Sequence, residues 1–206
     1  MVFIAFEGGD GAGKSTQVAR LAARLRERGH EVVTTREPGG TELGAVIREQ
    51  LLHGAQVGPR AEALLFAADR AHHVDTLIRP ALERGAVVLT DRYVDSSVAY
   101  QGAGRDLDAA EVASLSAWAT GGLVPALTVL LDVSPQTGRR RRSGRAADRM
   151  ETEAEAFHER VRRHFLDLAE AAPERYLVLD AAAAKADLAS QIAARVEAVL
   201  PAGVRP

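Results

Sequence analysis

The chain has 206 residues, 47% of them hydrophobic, with 26 basic and 28 acidic side chains and a formal net charge of −2. That is enough apolar material for one sizeable core in one domain, and the near-neutral balance excludes a whole-protein field for polyanions, so anion recognition has to be local. The absence of cysteine excludes a disulfide framework and a thiolate metal site, and fits a reducing cytoplasm.

The opening MVFIAFEGGDG has no charged leader and no small-residue cleavage site, so it reads as a strand (2–7) entering a glycine-rich loop, not as a signal peptide. Behind the loop, Val18, Leu21, Ala22 and Leu25 recur at helical spacing. Further short apolar runs follow at 31–36, 86–91, 126–133 and 175–180, continuous rather than alternating, as strands buried on both faces are. A long helix carrying LFAADR (65–70) separates the second and third runs, and 92–125 is mainly helical. After the fourth run Arg139 and Arg140 open a helix, and a second amphipathic helix starts near Glu153 with Phe157, Val161, Phe165, Leu168 and Ala172. Ala181 to Ala184 reads as a connecting loop, the last helix carries Leu188, Ile192, Val196 and Val199, and PAGVRP at the end reads as frayed. No apolar run reaches the ~18 residues of a membrane span. Strand and helix alternating throughout predict an α/β fold with a parallel sheet covered on both sides.

Gly8-Gly9-Asp10-Gly11-Ala12-Gly13-Lys14-Ser15, followed by Thr16, fits G-x-x-x-x-G-K-[ST] between a strand and a helix. Glycines let the backbone N–H groups curl around a phosphate, and the helix N-terminus adds partial positive charge. Lys14 is placed to reach the β- and γ-phosphates of a nucleoside triphosphate, and Ser15 to ligate magnesium. No N-K-x-D motif is present to read guanine, and no second lysine stands early in the loop as in partition ATPases, which leaves a small-molecule kinase. A kinase must hold a second anion at the carboxyl ends of its strands. Arg36, in TREPGGT (35–41), and Arg92, in TDRY (90–93), both stand there. Asp91 ends a buried strand where a second acidic group would orient magnesium. Phe66, with Leu64 and Leu65 beside it, reads on its own as a core aromatic.

FEGGDGAGKST, TREPGGT, LLFAADR, DRYVDSSVAYQGAGR and the later arginine cluster, in this order and spacing, resemble the bacterial thymidylate kinase family over nearly the whole chain. The resemblance implies a P-loop kinase fold, a five-stranded parallel sheet with helices on both faces and a small lid near 138–150. It implies transfer of the ATP γ-phosphoryl group to dTMP with Mg2+, in a cytoplasmic homodimer without nucleic-acid or membrane partners. It turns Phe66 into a stacking platform for thymine, and puts Pro38 of the REPGGT loop among the substrate-binding residues. Arg70, Ser97 and Gln101 would meet the base edge with Arg48 close by. Tyr100 would pack near the sugar, Arg92 and Arg36 would hold the acceptor phosphate, and Asp10 would lie by the 3′-hydroxyl and the phosphates. In GRRRRSGR (138–145) and beyond, the resemblance pairs Gly11 with lid arginines over the transferred group, Arg145 and Arg149 ahead of Arg142. Arg139 and Arg140 read as a solvated run, and SGRAA (143–147) as a segment that closes over ATP. A kinase for another pyrimidine monophosphate, or a slow P-loop ATPase acting as a nucleic-acid-linked scaffold, remains as an alternative.

Overall fold

A computed structural model describes residues 1–105, 107–142, 144 and 147–200 of the chain. Arg145, most of SGRAA and the C-terminal PAGVRP therefore lie outside the described residues. The elements are β1 (Val2–Glu7), α1 (Lys14–Glu27), β2 (Val32–Arg36), α2 (Glu42–His53), α3 (Pro59–His73), α4 (Arg79–Glu83), β3 (Val87–Asp91), α5 (Val94–Ser97), α6 (Ala109–Thr120), β4 (Leu127–Asp132), α7 (Pro135–Arg141), α8 (Glu155–Ala171), β5 (Tyr176–Asp180) and α9 (Lys185–Glu197). Wide π-type turns at Val74–Ile78 and Val98–Gly104 link α3 to α4 and extend α5.

The five strands form one parallel sheet in the order β2-β3-β1-β4-β5. Their side chains alternate between two apolar layers, which is why the central runs are unbroken in sequence. Val2, Ile4, Phe6, Leu89, Leu127 and Val129 point to one layer, packed under α1 and α9 by Val18, Leu21, Leu25, Leu188, Ile192 and Val196. Phe3, Ala5 and Val88 point to the other, under Val74, Ile78 and Leu82, while Leu130 and Tyr176 meet Phe157, Val161 and Phe165 of α8. The edge strands β2 and β5 are only half buried. From β1 the chain leaves to one side and after β3 it returns to the other, so the carboxyl ends of β1, β3 and β4 flank the crevice where α/β sheets bind ligands.

Two expectations need correction. The helix near the arginines begins earlier: Ser134 caps it, its Oγ accepting from the Thr137 N–H at 3.3 Å, and Pro135 takes the first turn. Arg139 and Arg140 thus close α7 instead of opening a helix, which sets their charge against the negative end of its dipole. The following helix starts at Glu155, not Glu153.

Candidate active site

The loop after β1 doubles back on itself because Gly8, Gly11 and Gly13 all adopt positive φ. Close approach also demands glycine. A Cβ on Gly8 would strike the Leu131 carbonyl of β4, and one on Gly11 would fall 2.5 Å from the Gly138 carbonyl oxygen of α7. Gly138 in turn has no room for a Cβ against the Asp10 carbonyl, so loop and α7 meet backbone to backbone. Asp10 to Gln17 line an open cleft of about 750 Å³ together with Arg36, Glu37, Arg48, Asp91, Arg92, Arg141, Arg142, Asp148 and Glu151. Ala181, Ala183 and Ala184 form another part of its wall, so the alanine-rich loop, which carried no functional reading, borders the site.

The Lys14 ammonium donates to the Gly8 and Gly9 carbonyls at 3.0 Å each. Burial and then the neighbouring Arg92 lower its pKa, against the pull of Asp91, Asp10 and Glu7. The Ser15 hydroxyl donates to Asp91 Oδ2 at 2.7 Å, joining the start of α1 to the end of β3. Thr16 lies beside them on the cleft wall.

Arg92 is the hub. It is the one non-glycine residue at positive φ among those described, +72°, a conformation held by its backbone N–H on the Phe6 carbonyl at 2.9 Å. One terminal nitrogen donates to Gly8 O and Ser96 Oγ at 3.2 and 3.0 Å. The other donates to Asp10 Oδ1 at 2.7 Å and Tyr100 Oη at 3.3 Å. Tyr100 Oη donates in turn to Asp10 Oδ2 at 3.2 Å. Burial would lower the Arg92 pKa, but Tyr100, Asp10, Asp91 and Glu7 raise it well above the ordinary value. Burial would likewise raise Asp10, yet Arg92, Lys14 and Arg142 hold its carboxyl well below the usual range. Beneath Arg92, Glu7 accepts from the Tyr93 and Ser96 N–H groups and from Ser96 Oγ at 2.8, 3.2 and 2.6 Å.

A second, narrower pocket of about 80 Å³ opens from the same hub, bounded by Pro38, Arg48, Phe66, Arg70, Ser97, Tyr100 and Gln101. The buried Arg70 donates from Nε to Glu37 Oε2 at 2.7 Å and from Nη2 to Tyr93 O and Ser97 Oγ at 3.1 and 3.0 Å. Its Nη1 reaches Ser116 Oγ at 3.4 Å. His73 Nδ1 pairs with Glu37 Oε1 at 2.9 Å and Nε2 with Thr35 Oγ1 at 2.7 Å, bracing that carboxylate from behind. Arg48 donates to the Pro38 carbonyl at 3.0 Å.

The arginine-rich segment divides. Arg139 pairs loosely with Glu155 at 3.7 Å. Arg141 reaches Gly11 O and Ala181 O at 3.4 and 2.8 Å, and Arg142 pairs with Glu151 at 2.9 Å. Both face the phosphate cleft. Arg149, expected beside Arg142 over the phosphates, lines neither pocket and instead donates to Leu51 O at 2.8 Å and to the buried Glu62 at 2.7 Å. Arg141 escaped the sequence reading. The Ser134-Pro135 start and the tight Gly138 were the available signals, because Arg141 and Arg142 follow Gly138 by three and four residues, on its face of the helix. Glu37 and Glu62 left no signal of their own.

The thymidylate kinase family model matches residues 6–192. The chain is 60% identical over 205 residues to a thymidylate kinase of Clavibacter michiganensis subsp. michiganensis, covering 98% of this chain and 97% of that one. Thymidylate kinases of Leifsonia xyli subsp. xyli and Deinococcus radiodurans are 58% and 53% identical, over 95% of this chain and 94% and 96% of theirs. Glycine-built loop, Arg92 hub and paired pockets thus sit in a chain that belongs to the thymidylate kinase family.

Proposed function

We propose that the chain transfers the γ-phosphoryl group of ATP to dTMP, giving ADP and dTDP. The observation that carries this reading is that the phosphate cleft and the narrow pocket share Asp10, Glu37, Arg48, Arg92 and Asp148, so two nucleotides entering from opposite sides would meet phosphate to phosphate. An oxygen of the acceptor phosphate then forms the new bond to Pγ as the bond from Pγ to the bridging oxygen breaks, with the electron pair leaving on ADP. The chain's part is alignment and charge neutralisation.

In this reading the loop from Gly8 to Thr16 cradles the ATP phosphates, and Lys14 leaves its carbonyl partners to meet them. Arg92, held in a fixed pose and permanently charged, takes the acceptor phosphate with Arg36. Phe66 stacks on thymine while Arg70, Ser97 and Gln101 meet its edge, and Tyr100 backs the sugar. Ser15 and Asp91 offer two hard oxygens 2.7 Å apart, a donor set that suits Mg2+, which keeps most of its shell for water and phosphate. When bound there, the ion would neutralise charge between the β- and γ-phosphates. The segment near 138–150 serves as the lid.

We also place the enzyme in the cytoplasm as a homodimer. Leu43, Val46, Leu64 and Trp118 are exposed on α2, α3 and α6, which pack side by side, and such a patch suits a subunit interface. No described helix is long and apolar enough to cross a membrane. A coupled ADP-release assay across dTMP, dUMP, UMP and CMP tests the activity: strong preference for dTMP is expected, and preference for UMP or CMP would overturn it.

A further inference from the structure

We propose that Glu62 is a positioning residue that sets base specificity by fixing which end of the Gln101 amide faces the base; the inference rests on the narrow pocket being the dTMP site. Glu62 sits on α3, fully buried, outside the linings of both pockets. Oε1 accepts from Gln101 Nε2 at 2.9 Å and Arg105 Nε at 3.2 Å, and Oε2 from Arg105 Nη2 at 3.3 Å and Arg149 Nη2 at 2.7 Å. A carboxylate ringed by two guanidinium groups accepts and does not donate. Only the NH₂ end of Gln101 can therefore face it, and the carbonyl oxygen is the amide atom turned to the pocket. Gln101 itself lies in the wide turn Val98–Gly104 and is almost fully buried, so it has little freedom to choose otherwise.

The opposite side of the pocket has the complementary sign. Arg70 has five N–H donors, of which Glu37, Tyr93 O, Ser97 Oγ and Ser116 Oγ take four, and the remaining one is on Nη1. Because Ser97 Oγ accepts from Arg70, its own hydrogen is free. The pocket thus presents an acceptor from Gln101 and donors from Arg70 and Ser97. A thymine or uracil edge, N3–H beside a carbonyl, matches that order. A cytosine edge presents a lone pair at N3 and an amino group beside it, and meets like against like at both places. With the amide turned over, the same backbone would favour the wrong edge, so Glu62 holds the selectivity though it touches no substrate.

The test is Glu62→Gln, which keeps the shape but can donate as well as accept, freeing the Gln101 amide to turn. Arg105 retains its ion pair with Glu153, which helps hold the fold. We expect kcat/KM for dTMP over dCMP to fall at least ~10-fold, mostly through KM, while the ratio of dTMP to dUMP stays unchanged because both carry the same edge. Glu62→Asp, still acceptor-only, should weaken binding but keep the dTMP preference over dCMP. In a Gln101→Ala background, Glu62→Gln should shift the ratio no further. Equal losses for dTMP and dCMP in Glu62→Gln would make Glu62 a mere anchor for its arginines and overturn the proposal. A shifted ratio in Glu62→Asp, or one that persists without Gln101, would do the same. A wild-type enzyme without preference for dTMP would sink the substrate assignment instead, a distinct result.

Discussion

Gly138→Ala sets two physical effects against each other. Gly138 lies inside α7, where alanine is favoured over glycine by roughly 1 kcal/mol on helix propensity. Its Cβ, however, would come well under 3.0 Å from the Asp10 carbonyl oxygen, and ordinary contact begins at 3.4 Å. Something must therefore move by about 1 Å, and the loop cannot recede, because Gly8 is already pressed against the β4 backbone. Overpacking of this kind costs about 1–3 kcal/mol and outweighs the helix gain, while ~1 Å of misplacement at a reacting phosphate lowers turnover about 100-fold. We expect kcat in the ADP-release assay to fall by about that factor, with a smaller loss of calorimetric affinity for dTMP, because Asp10 borders the narrow pocket while Phe66 and Arg70 lie away from the contact. Gly58→Ala, at a position with ordinary φ and open space around the new Cβ, is the control and should behave as wild type. Gly138→Ala with activity within about 2-fold of wild type would refute the contact argument.

Phe66→Ala should raise the KM for dTMP roughly 10- to 100-fold, the worth of one base–aromatic stack, and leave kcat little changed; steady-state kinetics with unchanged KM would return Phe66 to the core. Trp118→Glu puts a charge in the exposed apolar patch and should turn a dimer into a monomer in sedimentation velocity, whereas an unaltered sedimentation coefficient removes that face from the interface. Glu7 gives a pH prediction. Burial, then the Asp95 carboxylate, push its pKa up to about 8 from an ordinary 4.5. Between those values the folded chain holds more protons than the unfolded one, so this group's contribution to stability declines as pH climbs from about 4.5 to about 8. Measured against Glu7→Gln, wild-type Tm should drop from pH 5 to pH 9, and a difference that rises with pH contradicts the assignment.

What the sequence made legible was whatever is local or periodic. The central strands showed because both of their faces are buried, and the P-loop because its geometry is written in eight consecutive residues. Phe66 shows that the two readings of one side chain need not compete. It packs with Leu65 against the cluster that holds Leu51 and Tyr100 and also lines the narrow pocket, while its neighbour Leu64 is 58% exposed. The carboxylates that hold the site were illegible for a different reason. Glu37 holds Arg70, 33 positions away, and Glu62 holds Gln101, 39 positions away. A glutamate's own neighbours in sequence say nothing about a partner delivered by the fold.

The same dependence on partners reorders the arginines. Sequence and resemblance put Arg145 and Arg149 ahead of Arg142, and Arg145 lies outside the described residues. Among the described ones, the deciding quantity is what each guanidinium must give up to reach a phosphate. Arg141 is held only by backbone carbonyls, neutral acceptors that an anion readily outcompetes. Arg142 must leave Glu151, whose side chain is 3% exposed, and Arg149 must leave Glu62, which is 1% exposed and would keep only Arg105 and Gln101. Abandoning a buried carboxylate leaves its charge less well compensated, a cost that Arg142 and Arg149 share and Arg141 does not. Arg142 already lines the cleft and Arg149 lines neither pocket, so the expected ranking for loss of kcat on substitution by alanine is Arg141 first, Arg142 next and Arg149 last. Arg149→Ala should instead raise the KM for dTMP and lower Tm. Single-turnover kinetics of the three variants decide it. If Arg149→Ala abolishes phosphoryl transfer at saturating dTMP while Arg141→Ala leaves it intact, the buried ion pair with Glu62 does not govern where that arginine acts.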